Sequence, residues 1–267
     1  MPILLIKYER KMVLKLKNNT SNYILSSVDN ALEVLDLLSS NYELSATEVG
    51  RMLNIGKSTA FRLLTTLENR GYVKKNSNNK YRLGMKFAFM GSIVLDRMEI
   101  IKHSHPFLEE LTKDTNETTH LVILEEDNNV RFVDKVTSPS TIRMESFIGL
   151  KRPAYCTATG KVLLAYKDEN AINEYLKNTN FIQYTQYTVK NAEELREILM
   201  QIRKDGYGID ANESEIGLTC YAAPILDPSG KAIAAISVSG PSERMYINKQ
   251  KLISSIKSTA YEISNSI

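Results

Sequence analysis

Small hydroxyl side chains and an arginine recur at helical spacing in one segment of the chain. Ser58, Thr59, Arg62 and Thr66 lie three or four positions apart, so they share one face of a helix. Hydroxyl groups of this size allow close approach to the major groove of DNA, and an arginine there can contact guanine or a phosphate. The residues predicted to contact DNA, in this segment or beside it, are Ser45, Lys57, Ser58, Thr59, Arg62, Thr66, Lys74, Lys75 and Lys80. The competing interpretation is a helical domain with ordinary solvated charges.

Two short helices are predicted ahead of that segment. Apolar residues at helical spacing indicate the first helix over residues 28–38. Its predicted inner face consists of Val28, Ala31, Leu32, Leu35 and Leu38. Ser45 and Glu48 have the spacing of a capping box, which opens a second helix that ends near Leu53. Residues 54–56 have the length and composition of a tight turn.

The segment itself is predicted to form a third helix over residues 57–70, followed by a β-hairpin. Its predicted buried stripe consists of Ala60, Phe61, Leu64 and Leu67. Gly71 stands where a helix C-terminus takes a left-handed cap. Strands over 72–75 and 80–83, joined by a polar four-residue turn, make the hairpin. Three helices followed by a basic hairpin are typical of a winged-helix domain, in which the hairpin lysines approach the DNA backbone.

Charge and composition agree with contact between the front of the chain and a polyanion. Residues 1–83 hold thirteen Lys and Arg against seven Asp and Glu, whereas residues 84–267 hold twenty-one against twenty-four. Two cysteines are too few for a disulfide framework or a zinc finger. The apolar opening is too short for a signal peptide, and no stretch reaches the ~18 apolar residues of a membrane span. A cytoplasmic protein is therefore predicted, with either Met1 or Met12 as its true start.

A linker helix is predicted after the hairpin, over residues 84–104. Its apolar stripe is predicted to consist of Phe87, Met90, Gly91, Val94 and Met98. This stripe has no obvious partner within a small winged-helix domain, so it packs either on the sensor domain or on a second copy of the chain, and the second alternative fits a linker helix better. Pro106 is predicted to break the helical run and to open another helix. His103 and His105 lack a visible third ligand, so no metal site is predicted.

The back half of the chain mixes strands and helices. The predicted strands cover residues 118–125, 130–136, 141–147, 207–211, 218–226 and 232–239. The predicted helices cover residues 157–166, 168–177, 192–204 and 242–263. Two groups of three strands with helices between them indicate an α+β sandwich with a mainly antiparallel sheet. The predicted domains are an N-terminal tail (1–23), a winged-helix domain (24–83), the linker helix (84–104) and a sensor domain (105–267).

The chain resembles the IclR family of bacterial regulators over about residues 24–263. The motifs that carry this resemblance are SVDNAL at 27–32, KSTAFRLL at 57–64, GLKRPAYCTATGK at 149–161, Glu213 with GLTCYAAP at 217–224, and AAISVSGP at 234–241. The resemblance implies a winged helix-turn-helix and a C-terminal GAF-like α/β effector-binding domain, joined by a linker helix. It also implies a homodimer or tetramer that binds a palindromic operator of double-stranded DNA near catabolic genes.

The resemblance places a small-molecule effector between the sheet and the start of the helix near Thr157. The residues that it assigns to this site are Met144, Ala158, Thr159, Gly160, Asp210, Leu218, Cys220, Ser237 and Ser239. A helix N-terminus offers unpaired N–H groups that suit a carboxylate. Arg152 stands where relatives often have an apolar residue. The alternative interpretation is that the two serines satisfy backbone groups and that Cys220 is a buried small hydrophobic residue.

These observations predict a DNA-binding transcriptional regulator controlled by an effector, with a repressor favoured. The effector is predicted to be a small organic or sugar-derived acid. No cofactor and no enzyme activity are predicted, because a Cys220–His120 nucleophile pair has no local support and would leave the winged helix unexplained. The alternative function is that of a DNA-binding scaffold or adaptor whose GAF-like domain only dimerises.

Overall fold

The computed structural model describes residues 24–267, which form two compact units that divide between Val94 and Leu95. The predicted tail and the alternative start at Met12 lie outside the described residues. The elements of the first unit are α1 (Ser26–Ser40), β1 (Leu44–Ser45), α2 (Ala46–Leu53), α3 (Lys57–Asn69), β2 (Val73–Lys75), β3 (Lys80–Leu83) and most of α4 (Lys86–Asp96).

The first unit is a winged helix-turn-helix that follows the predicted local signals closely. The Ser45 hydroxyl accepts from the Glu48 N–H at 3.3 Å, and Glu48 accepts from the Ser45 N–H at 2.8 Å, which closes the capping box of α2. Gly71 follows α3 with φ of +77°, as a left-handed cap requires. The hairpin strands pair with β1 in the antiparallel order β1-β3-β2. β1 is an element that the sequence pattern does not predict.

The core of the first unit corrects two predicted helix faces. Its buried members on α1 and α3 are Val34, Leu37, Leu38, Ala60, Leu64 and Leu67. Phe61 is 49% exposed, and Val28 and Leu32 are more than half exposed, so none of the three belongs to the core. Successive helical residues are rotated by about 100°, which takes Phe61 to the side of the line through Ala60 and Leu64. Both helices carry more apolar residues than one core face can cover.

The connector consists of two helices, not one. α4 ends at Asp96, and α5 covers Glu99–Thr115. Pro106 lies inside α5, so the helix break predicted at this proline is wrong, and the predicted domain boundary at 104/105 falls within a continuous helix. A proline leaves the carbonyl four residues earlier, here that of Lys102, without its helical partner. Pro106 and Lys102 are both exposed, so water can satisfy that carbonyl.

The apolar stripe predicted for the linker is divided among different surroundings. Phe87 packs edge-on against Tyr72 with ring centroids 5.4 Å apart, so the expectation that the stripe lacks a partner in the first unit is wrong for this residue. Met98 packs against the core of the second unit. Met90 and Val94 are exposed.

The second unit is built on one antiparallel sheet. Its elements are α5, β4 (Thr118–Leu124), β5 (Asn129–Val136), β6 (Lys151–Pro153), α6 (Ala158–Ala165), α7 (Glu169–Asn178), α8 (Ala192–Asp205), β7 (Gly208–Ala211), β8 (Leu218–Leu226), β9 (Ala232–Pro241), α9 (Ser242–Ile247) and α10 (Lys249–Ser266). The strand order is β6-β5-β4-β9-β8-β7, so the two predicted groups of three join through β4 and β9. α6 packs on one face of the sheet, and α5 and α10 pack on the other. The predicted fold class, winged helix-turn-helix plus α+β sensor domain, is confirmed.

Two predicted elements of this unit are wrong. Residues 141–147 form no strand; the third strand of that group is Lys151–Pro153. Ile142 and Phe147 are exposed, and β5 pairs with residues 151–153 instead. The helix predicted over 242–263 is interrupted at Asn248 and continues as a separate helix.

No helix among residues 24–267 is both long enough and apolar enough to cross a membrane.

Candidate DNA-contact helix and effector site

α3 presents a cationic, hydroxyl-rich face away from the core. Lys57, Ser58, Thr59 and Arg62 are all exposed. With Ala60 and Leu64 turned into the core, the helical period directs Ser58 and Arg62 to the opposite side. The N-terminus of α3 has no side-chain cap, so its first N–H groups remain open to a phosphate.

Two hydroxyl groups predicted to contact DNA are engaged within the fold. The Thr66 hydroxyl donates to the Arg62 carbonyl at 2.8 Å. The Ser45 hydroxyl donates to Glu48 at 2.7 Å, within the capping box. A DNA contact by either hydroxyl stays a prediction, and it would have to compete with these bonds.

The hairpin lysines differ in how freely they project. Lys74 is exposed, whereas the Lys75 ammonium lies 5.7 Å from the centre of the Tyr81 ring. The Lys80 ammonium lies 3.5 Å from the Glu43 carboxylate. Exposed pairs of this kind contribute little and are easily exchanged for a phosphate. Sequence reasoning missed Arg82, which is exposed on β3 between these lysines and donates to the Tyr42 hydroxyl at 3.3 Å.

The predicted effector residues of the sheet lie on one face. Asp210 is directly opposite Cys220, which is directly opposite Ser239. Ser237 lies two positions along β9, and all four side chains are buried. Met144 and Leu218 are half-buried and pack against the apolar cluster that contains Ala158 and Cys220. The structure therefore brings the predicted strand residues and the start of α6 to the same face of the sheet.

The start of α6 is tightly packed. The Thr157 hydroxyl accepts from the Gly160 N–H at 3.1 Å, so this N–H is not free for a ligand. A Cβ at Gly160 would come within 2.3 Å of the Ala154 carbonyl oxygen, which explains why glycine stands there. Ala158 and Thr159 are buried beside it. Gly160 is predicted to bind the effector, but its N–H is engaged and the glycine is needed here for the close approach of backbone segments. The N–H groups before it, near Ala158 and Thr159, are the ones left for an anion.

A buried cluster of charged side chains adjoins this face. Lys161 on α6 forms an ion pair with Glu213, and the Asp210 carboxylate accepts from the Glu213 N–H at 2.8 Å and from the Ser214 hydroxyl. Burial raises the pKa of Glu213 to about 7; the Lys161 charge opposes this shift and the Asp210 charge adds to it. Burial also raises the pKa of Asp210. Lys161 and Glu213 lie in the family motifs, yet spacing alone does not pair residues that are so far apart in the chain.

His120 is a further residue of this face that the sequence does not place there. It lies opposite Ser237 on β4, with Nδ1 at 3.3 Å from the Ser237 hydroxyl and Nε2 at 2.9 Å from the Ser146 hydroxyl. Burial, with the nearby Lys135 charge, lowers the pKa of His120 to about 3. The imidazole is therefore neutral and links Ser237 to the segment between β5 and β6.

His120 and Cys220 have separate partners. Cys220 lies directly opposite Ser239 on β9, and burial raises the pKa of its thiol. A nucleophilic cysteine needs a lowered pKa, so this environment gives the pair no support. His105 contacts Asp134 at 2.7 Å, and no group of three metal-ligating side chains comes together within the described part of the chain.

Known proteins resemble the chain over both units. The family model of the IclR helix-turn-helix domain matches residues 27–77, and that of the bacterial transcriptional regulator IclR C-terminal domain matches residues 92–265. The HTH-type transcriptional regulator KdgR of Escherichia coli is 35% identical over 241 residues, which are 90% of this chain and 91% of that protein. The transcriptional repressor IclR of Escherichia coli is 32% identical over 82% of this chain and 81% of its own length.

Solved structures agree. The crystal structure of the Thermotoga maritima IclR has a TM-score of 0.73 and 31% identity, and the match covers 90% of this chain and 99% of that one. The C-terminal domain of Escherichia coli KdgR has a TM-score of 0.57 and 34% identity, over 63% of this chain and 98% of that one.

Proposed function

Because this chain belongs to the IclR family of bacterial transcriptional regulators, we propose that it is a repressor whose operator affinity is controlled by a small organic or sugar-derived acid. The operator is a palindrome bound by a dimer or tetramer, and the regulated genes serve a catabolic pathway. The protein works in the cytoplasm, where bacterial DNA is found. The relatives named as repressors support the direction of regulation.

The exposed face of α3 is the observation that carries the DNA-binding part of this proposal. Lys57 and Arg62 supply charge, Ser58 and Thr59 allow close approach, and the only acidic residue of α3 is Glu68, at its far end. A recognition helix of this composition can enter the major groove, with the hairpin beside it on the backbone. A dimer would place two such helices about one turn of DNA apart.

The effector part rests on the buried polar face under α6. Ser237 and Ser239 would donate to the acid, Asp210 would hold a ligand hydroxyl, and the N–H groups near Ala158 and Thr159 would face the carboxylate. The aligned rows of β7, β8 and β9 support this arrangement, because they bring those side chains to one face.

Operator binding by variants tests the first part. A labelled fragment from upstream of the protein's own gene is titrated with wild type, Arg62→Ala and Lys57→Ala by fluorescence anisotropy. Both variants should bind more weakly than wild type and should melt at the wild-type temperature. Normal affinity in both variants would mean that another element contacts the bases.

Ligand binding separates the sensor from the adaptor alternative. Calorimetry with small carboxylates should identify a ligand of the wild-type protein. The same titration of Ser237→Ala and of Ser239→Ala should then show weaker binding of that ligand. A scaffold whose GAF-like domain only dimerises would bind DNA normally and would show no ligand-induced rise in melting temperature.

A further inference from the structure

Arg152 is a charged side chain on the effector face that has no assigned role. It lies on β6 directly opposite Val130 of β5, a fully buried member of the cluster under α6. Its neighbour Lys151 faces the other way and forms ion pairs with Glu125 and Asp127. Register therefore puts the Arg152 side chain on the same face of the sheet as Asp210, Cys220 and Ser237, with Arg152 on one edge strand and Asp210 on the other.

Arg152 is half-buried, and its guanidinium lacks a polar partner among the described residues. Within residues 24–267 it forms no hydrogen bond and no ion pair. Its charge nevertheless acts on the buried thiol of Cys156, which Asp210, Lys161 and Glu213 also influence. Cys156 immediately precedes Thr157, the N-cap of α6. Arg152 is therefore within electrostatic range of the helix start at which the effector is proposed to bind.

The charge balance of this face requires such a group if the ligand is an acid. Asp210 and Glu213 are two carboxyl groups, and Lys161 is already paired with Glu213. Lys135 is also engaged, since it donates to the Ser146 carbonyl. The two carboxyl groups and the two lysines together are no better than neutral, so without a further cation a ligand carboxylate would add an uncompensated negative charge to a site of low dielectric. Among the described cations on this face, Arg152 is the one without a partner.

We propose that Arg152 binds the carboxylate of the effector and makes the site selective for anions over their neutral analogues. This inference rests on the proposed sensor function and specifies its ligand-binding residue. A planar guanidinium can hold a carboxylate through two parallel N–H bonds, which a lysine ammonium cannot reproduce.

Calorimetry with matched ligands and variants tests this assignment. Acetate, pyruvate, D-gluconate and benzoate are each titrated beside the corresponding neutral amide into wild type, Arg152→Leu and Arg152→Lys. Lys151→Leu is the matched control, because it removes a charge from the same strand on the opposite face. Melting curves and operator binding without ligand confirm that each variant is folded.

At least one carboxylate should bind wild type, and Arg152→Leu should weaken it ~10-fold or more, since charge-assisted bonds are among the strong ones. Arg152→Lys should recover only part of the affinity, and Lys151→Leu should bind as wild type does. The amide should bind weakly and equally to all four proteins. Equal carboxylate binding by wild type and Arg152→Leu would overturn the proposal, and so would amides as good as the acids or no binding of any of the four acids. If wild type without ligand did not bind the operator fragment, that result would instead count against the proposed function.

Discussion

Arg62 and Phe61 are neighbours on α3, and both are exposed. Exposure is compatible with the DNA contact predicted for Arg62, which stays a prediction, whereas it contradicts the core position predicted for Phe61. The two residues show which properties of a side chain can be predicted from the sequence and which depend on packing. The type of Arg62 and its spacing from Ser58 already indicate contact with DNA. Phe61 is apolar and adjoins the core line, and only the packed helix shows that it lies outside that line.

Replacement of Arg62 by alanine should weaken specific operator binding by ~1–3 kcal/mol, because a bidentate contact between arginine and guanine favours the correct base over a wrong one by about that much. The measurement is anisotropy with the operator fragment and with an unrelated fragment of equal length. Arg196→Ala, in the second unit, is the control and should change neither. Equal loss on both fragments would assign Arg62 to phosphate contact alone.

Glu213 should give the protein a measurable pH dependence. Its folded-state pKa of about 7 lies above the ordinary value of 4.5, so the folded state holds this proton more tightly than the unfolded chain does. The associated stability is fully present below about pH 4.5 and is lost as the pH rises through about 7. The unfolding free energy of wild type, relative to Glu213→Gln, should therefore fall by about 2–3 kcal/mol between about pH 5 and pH 8.

Urea unfolding at several pH values measures this difference. Glu197→Gln, an exposed position on α8, is the control and should follow wild type at every pH. A constant difference between wild type and Glu213→Gln would mean that the carboxyl group titrates as it does in the unfolded chain.

At the scale of elements, the sequence predicts those helix ends and turns that are fixed by local hydrogen bonds, and it fails for elements whose formation depends on tertiary packing. The Ser45–Glu48 box and Gly71 fix the ends of α2 and α3 by bonds within a few residues, so the sequence suffices. The strand expected at 141–147 depends instead on having a neighbour, and β5 pairs with residues 151–153. Pro106 remains in α5 at an exposed position, where water can satisfy the carbonyl that it leaves without a helical partner.

The candidate site divides in the same way. Ser237 and Ser239 share a face because strands alternate with a period of two, which the sequence shows directly. The contacts of His120 with Ser146 and of Lys161 with Glu213 join distant segments, and no local pattern encodes them. Lys161 and Glu213 both lie in family motifs, but those motifs do not indicate that the two residues pair.

The corrected face of α3 makes a prediction about stability. Leu64→Ala removes fully buried methyl groups and should lower the unfolding free energy by ~2–5 kcal/mol. Phe61→Ala removes an exposed ring, and its effect should stay within about 0.5 kcal/mol. Urea denaturation of the two variants is the measurement. If Phe61→Ala lowered the unfolding free energy as much as Leu64→Ala does, Phe61 would have to belong to the core after all.

At the scale of the whole molecule, exposed apolar side chains on α4 favour self-association. Phe89 is 65% exposed and Val94 is 61% exposed, and Met90 lies between them in the sequence. Several exposed apolar side chains on one helix are typical of interaction sites. Light scattering of wild type at micromolar concentration, without DNA, should give the mass of a dimer or tetramer. Phe89→Glu with Val94→Glu should shift the protein towards monomer, whereas Tyr261→Glu, an exposed residue of α10, should not. A stable wild-type monomer would contradict the proposed assembly.

The most direct test of the regulatory account is the operator affinity of wild type with and without a bound acid. A labelled fragment from upstream of the protein's own gene is titrated by anisotropy, alone and with the carboxylate that most raises the melting temperature. The predicted result is specific binding that falls by ~10³–10⁵ in affinity from ~50 to ~200 mM salt. The acid should change that affinity about 5–150-fold, the usual range of coupling between two sites. Binding no tighter than to an unrelated fragment, or the same affinity with and without the acid, would contradict the account.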